Sequence, residues 1–276
     1  MPSSIRCAVP GYPHHIRQRS VRKEPLFYDD SDYLVYIRNL KNACTKHELR
    51  IRSYSLMTNH IHVIGVPKTK TSLSRTLHAT HTNYSQYFNA KYGFSGHAWL
   101  GRPEYSAMDD EHMWNAVRYV ERNPVRARMV MRAEDYLWSS AAAHCGLRDD
   151  ILLSDDFPPP GVIADWSEWL QIKHTEDDIK AIRKHLSTGR PWGSPEFIQQ
   201  LEALTGRPLQ LRRVGRPKKI PGQTGSSLFS DNQKYGTTGL TGNLRKQGGD
   251  VSFWDLAHGD SHDFLHGLNV DDRDGI

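Results

Sequence analysis

The chain has 276 residues, of which 37% are hydrophobic, and carries a formal net charge of +5 at pH 7. That length suffices for one domain with a buried core and extensions. No apolar run approaches the roughly 20 residues of a membrane helix, and no secretory signal peptide is evident. Three scattered cysteines form neither a disulfide framework nor a zinc ribbon. We therefore expect a cytoplasmic protein without a membrane partner, whose modest basic excess is compatible with nucleic-acid binding.

The first part of the chain predicts strands and helices in alternation. HHIRQRSV (14–21) is compatible with a strand, and 29–44 with a helix capped by Asp29, Asp30 or Ser31. The predicted apolar stripe of that helix is Leu34, Ile37 and Leu40. ELRIRSYSLM (48–57) and HIHVIGV (60–66) then predict two strands joined by a turn.

The next stretch predicts two strong helices separated by a loop. Leu73, Leu77, Tyr84 and Phe88 recur at helical spacing, which predicts a helix over 71–92 that ends at Gly93. A loop rich in glycine and aromatic residues follows over 94–108. The second helix begins with acidic residues at 109 and stops at Pro124.

Beyond about residue 150 the sequence is less regular. Two further helices are predicted around 176–186 and 194–204, and the stretch 205–220 contains six Lys/Arg and no acidic residue. Residues 221–276 show no periodicity and little apolar content, so we expect a tail of low order. The predicted regions are a domain over 1–150, a helical and basic extension over 151–220, and the tail over 221–276.

The segment NHIHVI (59–64) places two histidines one residue apart in an apolar run. In a strand, alternate residues share a face, so His60 and His62 point to one side and Ile61 and Val63 to the other. Two imidazoles spaced about 7 Å apart along a strand can bind one metal ion. Two histidines that are only hydrogen-bonded or exposed are the other interpretation.

The helix that stops at Pro124 offers a third group. Met113, Val117 and Val120 form its predicted core stripe, whereas Tyr119 and Asn123, four residues apart, share a neighbouring face. A phenol beside two imidazoles can act as a nucleophile on a metal-polarised phosphate. Alternatively, Tyr119 is a half-buried aromatic residue at the edge of the core stripe, and helix geometry leaves both interpretations open.

Three segments resemble, in order and spacing, the REP-associated tyrosine transposases of the single-tyrosine HUH (His–hydrophobic–His), or IS200-like, superfamily. They are SLMTNHIHVIGVP (55–67), NYSQYFNAKYGFSGHAWLGRPEYSAM (83–108) and AVRYVERNPVRARMV (116–130). The resemblance extends over about residues 5–220. It implies an α+β fold with a ferredoxin-like or palm-type antiparallel sheet flanked by helices. Pro103 departs from the family pattern, in which many relatives carry an aromatic residue, and affects local loop contacts only.

The resemblance also implies a mechanism. By position, His60, His62 and Asn123 match the metal ligands, and Tyr119 matches the nucleophile that forms a 5′-phosphotyrosine link with single-stranded DNA. The implied cofactor is Mg²⁺ or Mn²⁺, and the mixed nitrogen–oxygen ligand set suits Mn²⁺ better. The implied partner is hairpin DNA derived from repetitive extragenic palindromes (REP) in a bacterial nucleoid. Whether the protein is a monomer or a homodimer stays open.

Several side chains are candidates for DNA contact because they are cationic or aromatic: Arg17, Arg19, Arg22, Arg75, Lys91, Trp99, Arg102, Arg126, Arg216 and Lys218. Arg216 and Lys218 lie in GRPKK (215–219), which resembles an AT-hook and equally fits a flexible basic linker. Arg126 either reaches a phosphate or caps the C-terminal end of its helix.

Two other functions compete with a strand transferase. One is a protein of the same fold that binds DNA hairpins, or regulates, without cutting them. The intact set of His60, His62, Tyr119 and Asn123 favours the enzyme, because a binding protein has no chemical need for all four. The other is a metal phosphohydrolase that uses water as its nucleophile, but the sequence lacks the nearby Asp/Glu cluster that such sites usually need.

Overall fold

A computed structural model describes residues 7–159 and 161–210. Its sheet contains four antiparallel strands in the spatial order β2-β3-β1-β4: β1 (His14–Arg19), β2 (Leu49–Met57), β3 (His60–Pro67) and β4 (Glu104–Ala107). Helix α1 (Asp30–His47) connects β1 to β2, and α2 (Ser72–Tyr92) connects β3 to β4. This βαββαβ order gives the ferredoxin-like topology, so the predicted α+β fold with an antiparallel sheet is confirmed.

Six further α-helices follow the sheet among the described residues. They are α3 (Asp110–Glu121), α4 (Asn123–Arg126), α5 (Ala141–His144), α6 (Trp166–Gln171), α7 (Glu176–Thr188) and α8 (Pro195–Thr205). The two helices predicted beyond residue 150 correspond to α7 and α8. Across the described ranges, no helix has the length and apolar character needed to cross a membrane.

Helices α1 and α2 cover one face of the sheet. The Asp29 side chain accepts from the backbone N–H of Asp32, and the Asp32 side chain accepts in return, which makes a capping box at the start of α1. The buried stripe of α1 is Tyr33, Tyr36 and Leu40. The predicted stripe was wrong at Leu34, which is 53% exposed, because the tyrosine rings fill the space above the sheet.

Helix α2 agrees with its prediction. Leu73, Leu77, Tyr84 and Phe88 are buried, and Gly93 ends the helix with a left-handed φ of 69° that favours glycine. The predicted loop over 94–108 differs from the structure, because it contains β4. This strand is four residues long and pairs with β1 at the edge of the sheet.

Helix α3 covers the opposite face of the sheet and ends earlier than predicted. It stops at Glu121, and Pro124 lies in the first turn of α4, where its missing N–H costs no helical hydrogen bond. Arg122 between them keeps right-handed helical dihedrals (φ −83°, ψ −1°). The chain therefore continues in a helical path, so Tyr119 and Asn123 stay one turn apart.

Helices α6, α7 and α8 belong to the same compact unit as the sheet. The Trp166 indole at the start of α6 donates to Glu121 of α3, and the Ser106 hydroxyl of β4 donates to the carbonyl of Arg190 after α7. A domain boundary near residue 150 stays a prediction. The tail over 221–276 lies outside the described residues.

Candidate active site

The two histidines of β3 lie on the sheet face that α3 covers. Their ring centroids are 5.2 Å apart. In the pairing of β3 with β1, His60 lies opposite Arg19 and His62 lies opposite Arg17, so all four side chains share this face. The intervening Ile61 is fully buried in the core under α1 and α2. The predicted assignment of faces along β3 is confirmed.

The tautomer of His60 follows from its hydrogen bonds. Its Nδ1 lies 2.7 Å from Oδ1 of Asn59, and the Asn59 amide group donates to the carbonyl of Lys23 at 2.9 Å. Because the amide nitrogen serves that carbonyl, the oxygen faces the imidazole and can only accept. His60 therefore carries its hydrogen on Nδ1, which leaves the Nε2 lone pair for a ligand.

His62 is paired with a third imidazole, which belongs to β1. Nδ1 of His62 and Nε2 of His15 are 2.8 Å apart, and both side chains are buried. The two rings are tilted by 33° with centroids 5.0 Å apart. Sequence reasoning did not identify His15, because the register that brings β1 beside β3 is not evident in the sequence.

Burial keeps these three imidazoles neutral at physiological pH. It lowers the pKa of His60 to about 4 and that of His15 to about 3, and in both cases nearby arginines such as Arg17 lower the pKa further. The pKa of His62 lies well below its usual value, again first because of burial and then because of the neighbouring histidines. Neutral imidazoles retain the lone pairs that metal binding requires.

Tyr119 projects from α3 towards the histidines. Its ring centroid lies 5.9 Å from that of His62 and 5.9 Å from that of His15, and both contacts are edge-to-face. Tyr119 is 2% exposed, so it is buried rather than half-buried at the edge of a core stripe. The guanidinium carbon of Arg126 lies 4.2 Å from the Tyr119 ring centroid.

Arg126 connects Tyr119 to Asn123. A guanidinium N–H of Arg126 donates to Oδ1 of Asn123, one helical turn after Tyr119. Asn123 is buried, and its Nδ2 atom has no hydrogen-bond partner among the described residues. Burial lowers the pKa of Arg126, whereas the charge and hydrogen bonding of Tyr119 raise it. The structure thus links the nucleophile candidate, the amide and one cation in a single cluster.

The donor set on this face fits a divalent cation. His60 and His62 can each offer Nε2, and Oδ1 of Asn123 has a second lone pair beside the one used by Arg126. Within residues 7–159 and 161–210, no three His, Cys, Asp or Glu side chains are grouped to hold a metal. A metal bound here would thus complete its ligand shell with oxygens from Asn123, phosphate or water.

Behind Tyr119, α3 is held by a buried carboxylate that sequence reasoning missed. Glu121 is fully buried and accepts from Ser140 at 2.5 Å, from Ser53 at 3.1 Å and from the Trp166 indole at 2.8 Å. Nδ1 of His144 lies 2.6 Å from the same carboxylate. Burial opposes ionisation, but these partners lower the pKa of Glu121 below its usual value. The network fixes the helix that positions Tyr119.

Three of the predicted DNA-contact residues lie beside the histidines: Arg17, Arg19 and Arg126. Arg17 makes an ion pair with Glu104 of β4, with its Nε 2.8 Å from the carboxylate. Nε of Arg19 is buried and has no partner within the described ranges. Arg22 is exposed in the turn after β1. Because these cations lie near the histidines, the face of the sheet that carries the histidines is a better candidate for contact with a phosphate backbone than the α2 side.

The remaining predicted DNA-contact residues lie on the α2 side or outside the described residues. Arg75 and Arg102 are exposed there. Lys91 is bound to Asp29 and Asp32 at 2.8 Å and 2.9 Å, so it anchors α2 to the cap of α1. Arg216 and Lys218, with the candidate AT-hook, fall outside the described residues.

Trp99 is part of the core rather than an exposed stacking platform. It is 8% exposed, and its ring stacks on His81 with centroids 4.1 Å apart. Tyr36 and Tyr84 also contact it. The expectation that this indole stacks on an unpaired base therefore conflicts with its burial, because its face is already covered.

Comparison with protein-family models matches residues 10–123 to the family described as transposase IS200-like. Among solved structures, the chain is similar to a REP-associated tyrosine transposase bound to a REP hairpin, at 18% identity and a TM-score of 0.44, over 56% of this chain and 93% of that one. It is also similar to a proposed transposase from Deinococcus radiodurans R1, at 11% identity and a TM-score of 0.31, over 41% and 95%. Comparison with curated proteins gives no significant match. The similarity to the transposase IS200-like family therefore covers residues 10–123 of the 276-residue chain.

Proposed function

We propose that this protein is a single-tyrosine transposase that cleaves and rejoins single-stranded DNA at REP-type hairpins. The observation that carries the proposal is the convergence of Tyr119, two neutral imidazoles and the Arg126–Asn123 pair on one face of the sheet. A nucleophile, metal ligands and a cation for the phosphate are the parts that phosphoryl transfer needs. They lie on three separate elements, β3, α3 and α4.

In the proposed reaction the Tyr119 hydroxyl attacks the scissile phosphorus. The bond from the phenolic oxygen to phosphorus forms and the bond from phosphorus to O3′ breaks. The DNA downstream of the cut therefore stays on Tyr119 through its 5′-phosphate, and the upstream DNA leaves with its O3′. The phenolic proton passes to water, and the departing O3′ takes a proton to become a hydroxyl. Reversal by a 3′-hydroxyl rejoins the strand without a nucleotide cofactor, because the phosphotyrosine keeps the phosphodiester energy.

The residues around Tyr119 have complementary roles. His60 and His62 through Nε2, with Asn123 through its amide oxygen, would hold Mg²⁺ or Mn²⁺. A bound cation would polarise the scissile phosphate and neutralise charge that develops on it. Arg126 contacts the Tyr119 ring and would also face the incoming phosphate. Arg17 and Arg19, opposite the two histidines, would bind the DNA backbone near the cleavage point.

A covalent-adduct assay tests the proposal. Incubation with single-stranded REP-type hairpin DNA and Mn²⁺ is expected to give a protein–DNA adduct that survives denaturation, and Tyr119→Phe is expected to abolish it. Tyr28→Phe is a suitable control, because Tyr28 is an exposed tyrosine ahead of α1 that packs against α2. This variant should form the adduct as well as the unmodified protein.

The outcomes separate the competing functions. An adduct with Tyr119→Phe would refute the nucleophile assignment. Cleavage by Tyr119→Phe without an adduct would favour a metal phosphohydrolase with water as its nucleophile. Hairpin binding by the unmodified protein with neither cleavage nor adduct would favour the catalytically silent hairpin-binding protein on the same fold.

A further inference from the structure

The hydrogen bond between His15 and His62 can hold its hydrogen in two ways. With a hydrogen on Nδ1 of His62, that ring donates to Nε2 of His15 across the 2.8 Å contact. With a hydrogen on Nε2 of His15, the direction reverses and the neutral His62 ring carries its hydrogen on Nε2. Only the first arrangement leaves the His62 Nε2 lone pair available, so the proton order of this pair decides whether His62 can bind a metal.

The two metal-ligand candidates differ in how their tautomers are fixed. The amide oxygen of Asn59 can only accept, which forces the hydrogen of His60 onto Nδ1. The partner of His62 is an imidazole, which can donate or accept. The matching tautomer of His62 therefore requires His15 to keep its own hydrogen on Nδ1 and to accept through Nε2.

We propose that His15 is a positioning residue that holds His62 in the Nδ1–H tautomer and so keeps the His62 Nε2 lone pair available to a divalent cation. The use of that cation rests on the proposed function, whereas the tautomer itself does not. Histidines that bind metals generally donate their other ring N–H to a fixed acceptor, and loss of that acceptor weakens metal binding. Here the acceptor is a second imidazole on the adjacent strand.

The surroundings of His15 support this role over simple packing. A buried polar ring costs free energy unless it is hydrogen-bonded, and an apolar side chain would fill the same space without that cost. His15 also contacts the Tyr119 ring in an edge-to-face arrangement, with centroids 5.9 Å apart, so the same side chain touches both the nucleophile candidate and a ligand candidate. The ring therefore connects the two halves of the site.

The preceding residue provides a matched control. His14 is also fully buried on β1 but occupies the other face of the sheet, where it contacts the backbone of Val9, Tyr12 and Cys7. Its role is thus to hold the segment before β1. A His14→Gln variant is expected to lower stability without changing His62, which makes it a control for loss of a buried histidine.

The first test observes the tautomer in the metal-free, unmodified protein. Nitrogen-15 NMR of the histidine rings, assigned with His62→Gln, is expected to show a protonated Nδ1 and an unprotonated Nε2 for His62. In His15→Phe, which retains a ring but no acceptor, the Nε2–H form of His62 is expected to gain population. A protonated Nε2 on His62 in the unmodified protein would overturn the proposal.

The second test measures Mn²⁺ affinity by calorimetry or electron paramagnetic resonance, without DNA. We expect His15→Phe to weaken Mn²⁺ binding by about 10- to 100-fold. His15→Gln, whose amide oxygen can accept from His62, is expected to recover most of the affinity, and His14→Gln to keep it within about 2-fold. Equal affinity of His15→Phe and the unmodified protein would contradict the proposal.

The two proposals fail in different ways. If Tyr119 forms no DNA adduct but His15→Phe still shifts the tautomer of His62 and weakens Mn²⁺ binding, the proposed role of His15 is supported and the proposed transposition chemistry is contradicted. If the adduct forms and neither the tautomer nor the Mn²⁺ affinity depends on His15, the reverse holds. Should His15→Phe fail to fold, the tautomer of His62 in the unmodified protein decides the question alone.

Discussion

On the face of the sheet that α1 and α2 cover, Ile61 and Val63 lie in an apolar core, whereas on the face that α3 covers, His60 and His62 lie opposite two arginines. These residues alternate along a single strand. The difference indicates that one strand can carry an apolar set of side chains for stability and, under the proposed function, a polar set for chemistry. Substitutions on the first face should change folding, and those on the second should change metal and DNA reactions.

The face that carries the histidines nevertheless has one residue, Glu121, whose substitution should strongly destabilise the fold. Glu121→Ala is expected to lower the free energy of unfolding by about 3–5 kcal/mol, because His144 and the Trp166 indole would lose their buried hydrogen-bond acceptor. Urea denaturation measures the effect. Leu34→Ala, at an exposed position on α1, should change stability by less than about 0.5 kcal/mol. Similar stability of Glu121→Ala and Leu34→Ala would show that the network does not hold α3.

Neighbouring residues of β3 offer a direct contrast between the faces. Ile61→Ala is expected to lower the free energy of unfolding by about 2–5 kcal/mol, because Ile61 is fully buried in the core. His62→Ala is expected to lose Mn²⁺ binding and adduct formation at a temperature where it remains folded. The measurements are urea denaturation and the adduct assay on both variants. An active His62→Ala protein would contradict the division of labour between the faces.

Two cations from the predicted DNA-binding set should behave differently. Lys91→Ala is expected to lower the urea midpoint of unfolding, because it breaks charged hydrogen bonds to Asp29 and the buried Asp32. If exposed Arg102 contacts a phosphate, Arg102→Ala should leave stability unchanged and reduce the slope of log K against log salt by about 1. Hairpin titrations at several salt concentrations test this. An unchanged slope for Arg102→Ala would remove it from the DNA interface.

Buried imidazoles on both faces of the sheet should make the metal-free protein sensitive to acid, and His14 and His81 are two that lie away from the candidate site. Burial lowers the pKa of His14 to about 4 and that of His81 to about 3, whereas in the unfolded chain both lie near 6.5. Their contribution to stability is complete above pH 6.5 and is lost as the pH falls from there towards 4, because only the unfolded chain then takes up protons. Within that window, each imidazole lowers the free energy of unfolding by about 1.4 kcal/mol for every unit by which the pH falls.

Urea midpoints between pH 8 and pH 4.5 measure this loss. His14→Gln should show a shallower dependence on pH than the unmodified protein, by about one proton. Identical slopes for the two proteins would mean that His14 titrates normally in the folded state. The difference between the slopes of His14→Gln and the unmodified protein therefore reports on the burial of His14, and not on the proposed chemistry.

Much of the fold was predictable because local patterns and tertiary packing agree. The alternation along β3 placed Ile61 and His62 on opposite faces, and helical spacing placed Leu73 and Tyr84 of α2 in the core. Strand β4 was missed because it is an edge strand of only four residues, too short for its alternation of polar and apolar residues to stand out. Its existence depends on pairing with β1, which no local pattern indicates.

The predicted site is less complete, for a similar reason. Tyr119 and Asn123 could be placed on one helical face from spacing alone, but their link through Arg126 appears only in the structure. His15 and Glu121 act through contacts with residues distant in the chain. Asn59 stood beside His60 in the sequence, and a turn interpretation concealed its role as a hydrogen-bond acceptor. Partners that depend on strand register cannot be found from the sequence.

Mapping the covalent adduct tests the central claim most directly. After incubation of the unmodified protein with REP-type hairpin DNA and Mn²⁺, nuclease trimming and proteolysis, mass spectrometry can locate the residue that carries the nucleotide. We predict a 5′-phosphotyrosine on Tyr119 in the peptide that contains α3. A nucleotide on any other residue would contradict the assignment of the histidine face as the active site.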